Sequence, residues 1–278
     1  MMVSDRFAGR DLWIVTQHKK ESVIAPILSR SLSVHCHVFN QIDTDQFGTF
    51  CGTVGRVSAL EAARAKCAAV ASIYPGDLIL ASEGSFGPHP AWPFAPCNEE
   101  LLLLKDLKSN REYKVSYLTF RTNMAASEIQ NEEELKNFAL TAGFPSHGLI
   151  LRTNDYAFLK KGITSWTLLL HTFRQLKDSC QKVFAETDMR AMFNPMRMMV
   201  IGKAARLLTR LLHSRCPRCG SPGFGIVRTV TGLPCRACGM PTESPSHYVR
   251  LCEECLTELP CPSHKKEEDP MYCHFCNP

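Results

Sequence analysis

Short apolar runs alternate with polar, capped stretches over the first three quarters of this chain. Residues 11–16 and 34–39 read as buried strands, and residues 77–81, 101–106, 113–120 and 147–152 repeat the pattern. The stretches between them carry helix signals. Residues 21–30 predict a helix containing Pro26, which either kinks it or marks its first turn. Ser58, with Glu61 three residues later, forms a capping box for an Ala-rich helix reaching Ile73. Asn131 and Glu134 open another helix, which stops at Gly143. Two closing helices are predicted over 165–184 and 195–213, the second with Pro195 at its first position, where a missing N–H costs nothing. Residues 40–56 and 82–99 are polar and rich in Gly or Pro, and read as loops. Strands alternating with helices predict an α/β fold: a mainly parallel or mixed sheet with flanking helices.

The last quarter follows different rules. Four Cys-x-x-Cys pairs, Cys216/Cys219, Cys235/Cys238, Cys252/Cys255 and Cys273/Cys276, replace the apolar periodicity. Four thiolates close one tetrahedral zinc site, so eight predict two structural zinc ions with no open position for catalysis. Gly220 and Gly239 follow their knuckles directly, where a positive φ is wanted. Residues 224–230 and 247–251 suit small hairpins. The expected organisation is an α/β core over 1–213 and a small zinc-ribbon-like module over 214–278. Sequential, interleaved and nested pairings of the knuckles are all open to the spacing, and sequential pairing is the expectation. Cys261, His264 and His274 are read as bystanders.

Composition adds the setting. The chain has 278 residues, 45% hydrophobic and 21% charged, as in an ordinary globular protein. Fourteen cysteines would suit a secreted disulfide scaffold, but their x-x pairing and the lack of a signal pattern at the N-terminus favour a reducing cytoplasm. No apolar run approaches the roughly 20 residues that span a bilayer, so no membrane role is expected. The net charge of +5 is concentrated late, with Arg206, Arg210, Arg215, Arg218, Arg228, Arg236 and Arg250 near the knuckles. Those arginines offset thiolate charge or present a basic surface to nucleic acid.

Candidate chemistry lies in three stretches next to predicted strand ends: Thr16-Gln17-His18-Lys19-Lys20-Glu21, the run from Asp43 to Phe50, and the run from Ala81 to Pro90. Parallel strands would bring all three to the carboxyl edge of one sheet, where open α/β folds bind ligands. Asp43, Asp45 and Glu83 would hold a hard divalent ion such as magnesium, while His18, Lys20 and His89 bind anionic oxygens. Taken singly, each stretch is also a plain solvated turn. A fourth stretch, Glu186 to Arg197, supplies Asp188, Arg190, Asn194 and Arg197. It reads as an anion clamp at a helix start or as a corner locked by an Asp–Arg pair and an Asn cap.

These stretches, together with Thr187-Asp188-Met189-Arg190-Ala191, Asn194-Pro195, Arg197-Met198 and Gly232-Leu233-Pro234-Cys235, resemble the DUF6671 family, a domain of unknown function, over nearly the whole chain. The resemblance implies an acidic residue where Thr53 stands and a histidine where Met192 stands, and it implies no activity. A looser likeness is to nucleoside-triphosphate pyrophosphatases of the inosine-triphosphatase type, carried by Thr16, His18, Lys20, Thr49-Phe50 and Glu83 in order. The leading expectation is a metal-assisted hydrolase or transferase of a small phosphorylated or nucleotide-like substrate. There Asp43, Asp45 and Glu83 are catalytic through magnesium, and His18, Lys20, His89, Arg190, Asn194 and Arg197 bind substrate. The alternative is a non-enzymatic zinc-ribbon adaptor that binds nucleic acid or a protein partner through the basic tail and the Lys203–Arg210 face.

Overall fold

The computed structural model describes residues 4–41, 58–74, 77–89, 92–179 and 182–278. They divide into two compact units, Ser4–Leu208 and Thr209–Pro278. The first is mixed α/β. Its opening elements are α1 (Ser4–Phe7), β1 (Asp11–Val15), α2 (Glu21–Leu32), β2 (His35–Phe39), α3 (Ala59–Ala71), β3 (Leu78–His89), β4 (Trp92–Asp106) and β5 (Arg111–Thr119). Among the described residues these strands form one sheet in the order β2-β1-β3-β4-β5. β1 runs parallel to both β2 and β3, whereas β3, β4 and β5 form an antiparallel meander.

The capping box is present as read: Ser58 Oγ accepts from the Glu61 amide, and the Glu61 carboxylate accepts from the Ser58 amide. It starts α3, whose Ala63, Cys67 and Val70 pack on Val15, Phe39, Ile79, Ala81 and Leu103 of the sheet. α2 continues past residue 30 to Leu32 with Pro26 inside it, so Pro26 neither opens nor ends the helix.

Residues 82–99, expected as a loop, are mostly strand. β3 and β4 stay paired from Leu78/Asp106 out to Pro88/Pro96. β1 covers β3 only from Leu78 to Ala81. Beyond Ala81, β3 has one neighbour among the described residues, so Pro88 occupies an edge where no ladder donor is missed.

A second, wholly antiparallel sheet follows. It comprises β6 (Ala126–Ile129), β7 (Leu149–Thr153), β8 (Leu159–Ile163) and β9 (Val183–Thr187) in the order β6-β9-β7-β8. α4 (Glu132–Ala142) and α5 (Trp166–Asp178) cover it, burying Leu135, Ala139, Leu169 and Phe173 against Leu149, Leu151, Val183 and Ala185. α4 opens at Asn131, whose side chain accepts from the Glu134 amide, and closes on Gly143 at φ 85°. The helix expected over 165–184 ends at Asp178. Residues 183–187 alternate buried Val183, Ala185 and Thr187 with half-buried Phe184 and Glu186, a period of two that makes β9. The single sheet of the sequence reading is therefore two sheets.

α6 (Pro195–His213) has the expected bounds. Asn194 caps it, its Oδ1 accepting from the Arg197 amide at 2.9 Å. In the second unit β10 (Gly225–Thr231), β11 (Pro245–Leu251) and β12 (Glu258–Pro262) form a three-stranded antiparallel sheet with the knuckles around it. No helix among the described residues is long and apolar enough to cross a membrane.

Candidate functional site

In the first unit, the carboxyl ends of β1 and β3 meet the second sheet and the start of α6 across a cleft of about 620 Å³. That volume suits a small molecule. Thr16, His18, Lys20, Lys66, Ser82, Glu83, Lys161, Glu186, Asp188, Arg190 and Arg197 are among its lining residues.

The parallel register of Val15 with Ala81 sets Thr16 and Ser82 at the same sheet edge. Beyond Val15 the chain turns sharply through Lys19, whose φ of 57° lies in the left-handed region. That turn delivers Lys20 to the buried wall, where its Nζ donates to Ser82 Oγ at 3.0 Å and to the Ser82 carbonyl at 3.3 Å. Burial, reinforced by the nearby Arg197 guanidinium, brings Lys20 down to about 8, against the opposing pull of Glu100 and Glu83.

Lys66 enters the same wall from α3. Its Nζ lies 2.5 Å from Glu83 Oε1, an ion pair by distance whose ammonium is not aligned as a hydrogen bond to that oxygen. Arg197 closes the wall from α6, with Nε donating to Glu100 Oε1 at 2.6 Å and Nη1 to the Met189 carbonyl at 2.5 Å. Gly84 makes room for this pair. A Cβ there would stand 2.1 Å from Arg197 Nη2 and 2.6 Å from Glu100 Oε1. Among the described residues the buried cluster thus holds three cations, Lys20, Lys66 and Arg197, against two carboxylates, Glu83 and Glu100.

Asp188 and Arg190 make the locked corner that was one of their two readings. The Asp188 carboxylate accepts from Arg190 Nη2 at 2.6 Å, Arg190 Nε at 3.0 Å and the Gly162 amide at 3.0 Å. Arg190 stays partly open and lines the cleft beside Lys161.

Of the sequence-assigned residues, His18, Lys20, Glu83, Arg190 and Arg197 line this one cleft. Asn194 is buried as the α6 cap, and its Nδ2 donates to Asn123 Oδ1. His89 is not among the lining residues and stacks on Phe120 at 4.7 Å. Asp43, Asp45, Thr49, Phe50 and Thr53 lie outside the described residues. Lys66, Ser82, Glu100 and Lys161 went unassigned in the sequence. Lys66 had a legible signal: it shares the buried face of α3 with Ala62, Ala63, Cys67 and Val70, where a charge needs a reason.

The second unit carries two thiol tetrads that can each hold a metal ion: Cys216, Cys219, Cys252 and Cys255, and Cys235, Cys238, Cys273 and Cys276. The pairing is interleaved, first knuckle with third and second with fourth, which corrects the sequential expectation. Antiparallel pairing of β10 with β11 returns the third knuckle to the first. The fourth meets the second because Glu268 pairs with the second knuckle, taking the Arg236 amide on its carbonyl and donating to the Pro234 carbonyl.

The Sγ atoms stand 3.5 and 3.6 Å apart in the first tetrad and 3.6 and 3.9 Å in the second. A tetrahedron with metal–sulfur bonds near 2.3 Å has edges of about 3.8 Å, so the thiols fit such an ion and are too far apart for disulfides. Each knuckle makes the same turn: the amides of Gly220, Gly239, Leu256 and Asn277 donate to the carbonyls of Cys216, Cys235, Cys252 and Cys273. The glycine amides therefore face carbonyl oxygen. Without an ion the thiols of a tetrad compete. The Thr257 hydroxyl draws Cys255 down to about 6, while burial pushes Cys252 up to about 12. A divalent cation removes that conflict by stabilising all four as thiolates.

Fold and sites together define an α/β protein with a charged cleft and a cysteine-rich module whose two thiol tetrads could each hold a metal ion. A family model described as a domain of unknown function, DUF6671, matches residues 66–278. The match covers more than half of the chain, which belongs to that family. No curated protein matches the chain. The likeness to inosine-triphosphatase-type pyrophosphatases gains no support from these comparisons.

Proposed function

We propose that the cleft binds a small phosphorylated or nucleotide-like anion and serves a hydrolase or transferase acting on it. One observation carries the reading: among the described residues the buried cluster has one more cation than it has carboxylates, and the odd one, Lys20, hydrogen-bonds to Ser82. A phosphate entering from the cleft would supply the missing negative charge. Arg190 and Lys161 on the opposite wall provide further charge-assisted donors. Glu83 is committed to Lys66, so the described carboxylates do not make a magnesium cage. The cationic wall, and not the carboxylates, is the binding element in this proposal.

The two tetrads are proposed to be structural zinc centres, on the fit of their sulfur–sulfur distances to tetrahedral zinc. Such centres persist where thiols stay reduced, which agrees with a cytoplasmic setting. The test is a calorimetric and thermal-shift titration with inorganic phosphate and with nucleoside mono-, di- and triphosphates, with and without magnesium, followed by phosphate-release assays on those that bind. Binding that disappears in Lys20→Met supports the proposal. Absence of binding by every phosphorylated compound at millimolar concentration defeats it.

A further inference from the structure

We propose that Ser82 is a nucleophile activated by Lys20 and transiently carries the phosphoryl group of the substrate. The inference rests on the phosphorylated-ligand reading of the same cleft. Its geometric basis is the 3.0 Å contact between Lys20 Nζ and Ser82 Oγ, with both residues lining the cavity and both more than nine-tenths buried. A serine hydroxyl is a weak nucleophile unless a base within hydrogen-bond reach takes its proton. Lysine serves as that base when its surroundings disfavour the ammonium. Here Arg197 and Lys66 stand on the side of deprotonation and Glu100 and Glu83 on the side of the ammonium, and burial, the largest influence, brings Lys20 down to about 8, so it is mostly charged at neutral pH and acts as the base through its free-amine fraction. The second contact of Nζ, to the Ser82 carbonyl, fixes the amine against the residue it would deprotonate.

The step balances without a co-reactant other than water. Ser82 Oγ bonds to phosphorus as the bond from phosphorus to the leaving oxygen breaks. The Ser82 proton passes to neutral Lys20 Nζ and from there to the leaving oxygen. Water then attacks the phosphoserine, its proton goes to Lys20 Nζ, and Ser82 leaves with that proton as a free hydroxyl. Arg190, across the cleft, is placed to hold the phosphoryl oxygens throughout.

Diisopropyl fluorophosphate tests the first half-reaction, since phosphorylation of Ser82 expels fluoride and leaves a stable diisopropylphosphoryl triester readable by peptide mass spectrometry. The expected result is one adduct, on Ser82, forming at a rate that rises with pH around a midpoint near 8. Lys20→Met should slow labelling by about 10²–10⁴-fold. Ser82→Ala should give no adduct. A folded wild type that binds phosphate but gains no adduct on Ser82 overturns the nucleophile and leaves the ligand reading standing. An adduct on Ser82 without phosphate binding supports the nucleophile and removes the ligand reading. Should Lys20→Met fail to fold, the wild-type profile decides, and a labelling rate independent of pH overturns the role of Lys20.

Discussion

Replacing Lys20 with methionine exchanges a buried ammonium for an apolar chain of similar length. In the folded protein Lys20 titrates near 8 where a free lysine has 10.5. Each unit corresponds to 1.36 kcal/mol, so keeping the charged form in the wall costs about 3 kcal/mol at neutral pH. The variant loses the Lys20–Ser82 contacts, worth about 1 kcal/mol net. The expected balance is a stabilisation of about 2 kcal/mol at pH 7, or about 4–8 °C in Tm for a unit of this size. The gain must depend on pH. Between about 8 and 10.5 the unfolded wild type holds a proton on Lys20 that the folded form has released, so wild-type stability rises with pH there. The advantage of methionine therefore shrinks across that window and is gone above it. Urea denaturation followed by tryptophan fluorescence reads this unit alone, because Trp13, Trp92 and Trp166 all lie within it. A destabilised Lys20→Met, or a difference between the two proteins that stays constant from pH 7 to about 10.5, would refute the buried-charge reasoning.

Metal stoichiometry tests the interleaved pairing: Cys216→Ser with Cys252→Ser should cost one of two bound ions, and Cys216→Ser with Cys235→Ser both, the reverse of what sequential pairing requires. Gly84→Ala should push Arg197 off Glu100 and destabilise the first unit by about 3 kcal/mol, read by denaturation, since a split buried ion pair leaves an uncompensated charge; a neutral result would mean that the pair reseats easily. Leu256 takes φ 55° at a turn position where Gly220 and Gly239 stand in two other knuckles, and it is 74% exposed. Leu256→Gly should be neutral to about 1 kcal/mol stabilising in metal-release midpoints, because relief of left-handed strain exceeds or offsets the entropy glycine adds to the unfolded chain. Lowering the pH should release metal from both tetrads cooperatively with loss of the second unit's structure, seen by circular dichroism, because every ligand must be a thiolate.

Local chemistry was legible and distant pairing was not. The capping box at Ser58 and Glu61, the Asn131 cap, the Gly143 stop and the Pro195 start each depend on a backbone group within four residues, so the chain states them outright. The Thr16–Glu21 turn was legible as chemistry for the same reason, and parallel β1 and β3 bring it to Ser82 and Glu83 as such a sheet edge should. β9 was missed because Val183 and Phe184 continue the helical spacing of Leu176 and Cys180, and only pairing with β6 and β7 selects a period of two over 3.6. The β3–β4 hairpin was missed because its prolines argue for a loop until the edge position of β3 beyond Ala81 is known.

The amino-acid sequence by itself determined that eight thiols come in four equal knuckles, enough for two four-thiol sites, and where most helices begin and end. Only the tertiary structure decided which knuckles share an ion, because four identical spacings carry no label and the β10–β11 register chooses among them. It alone decided that Lys20, Lys66 and Arg197 share one buried wall with Glu83 and Glu100, since a surplus charge exists only once residues from α3, β3, β4 and α6 have been taken out of water together.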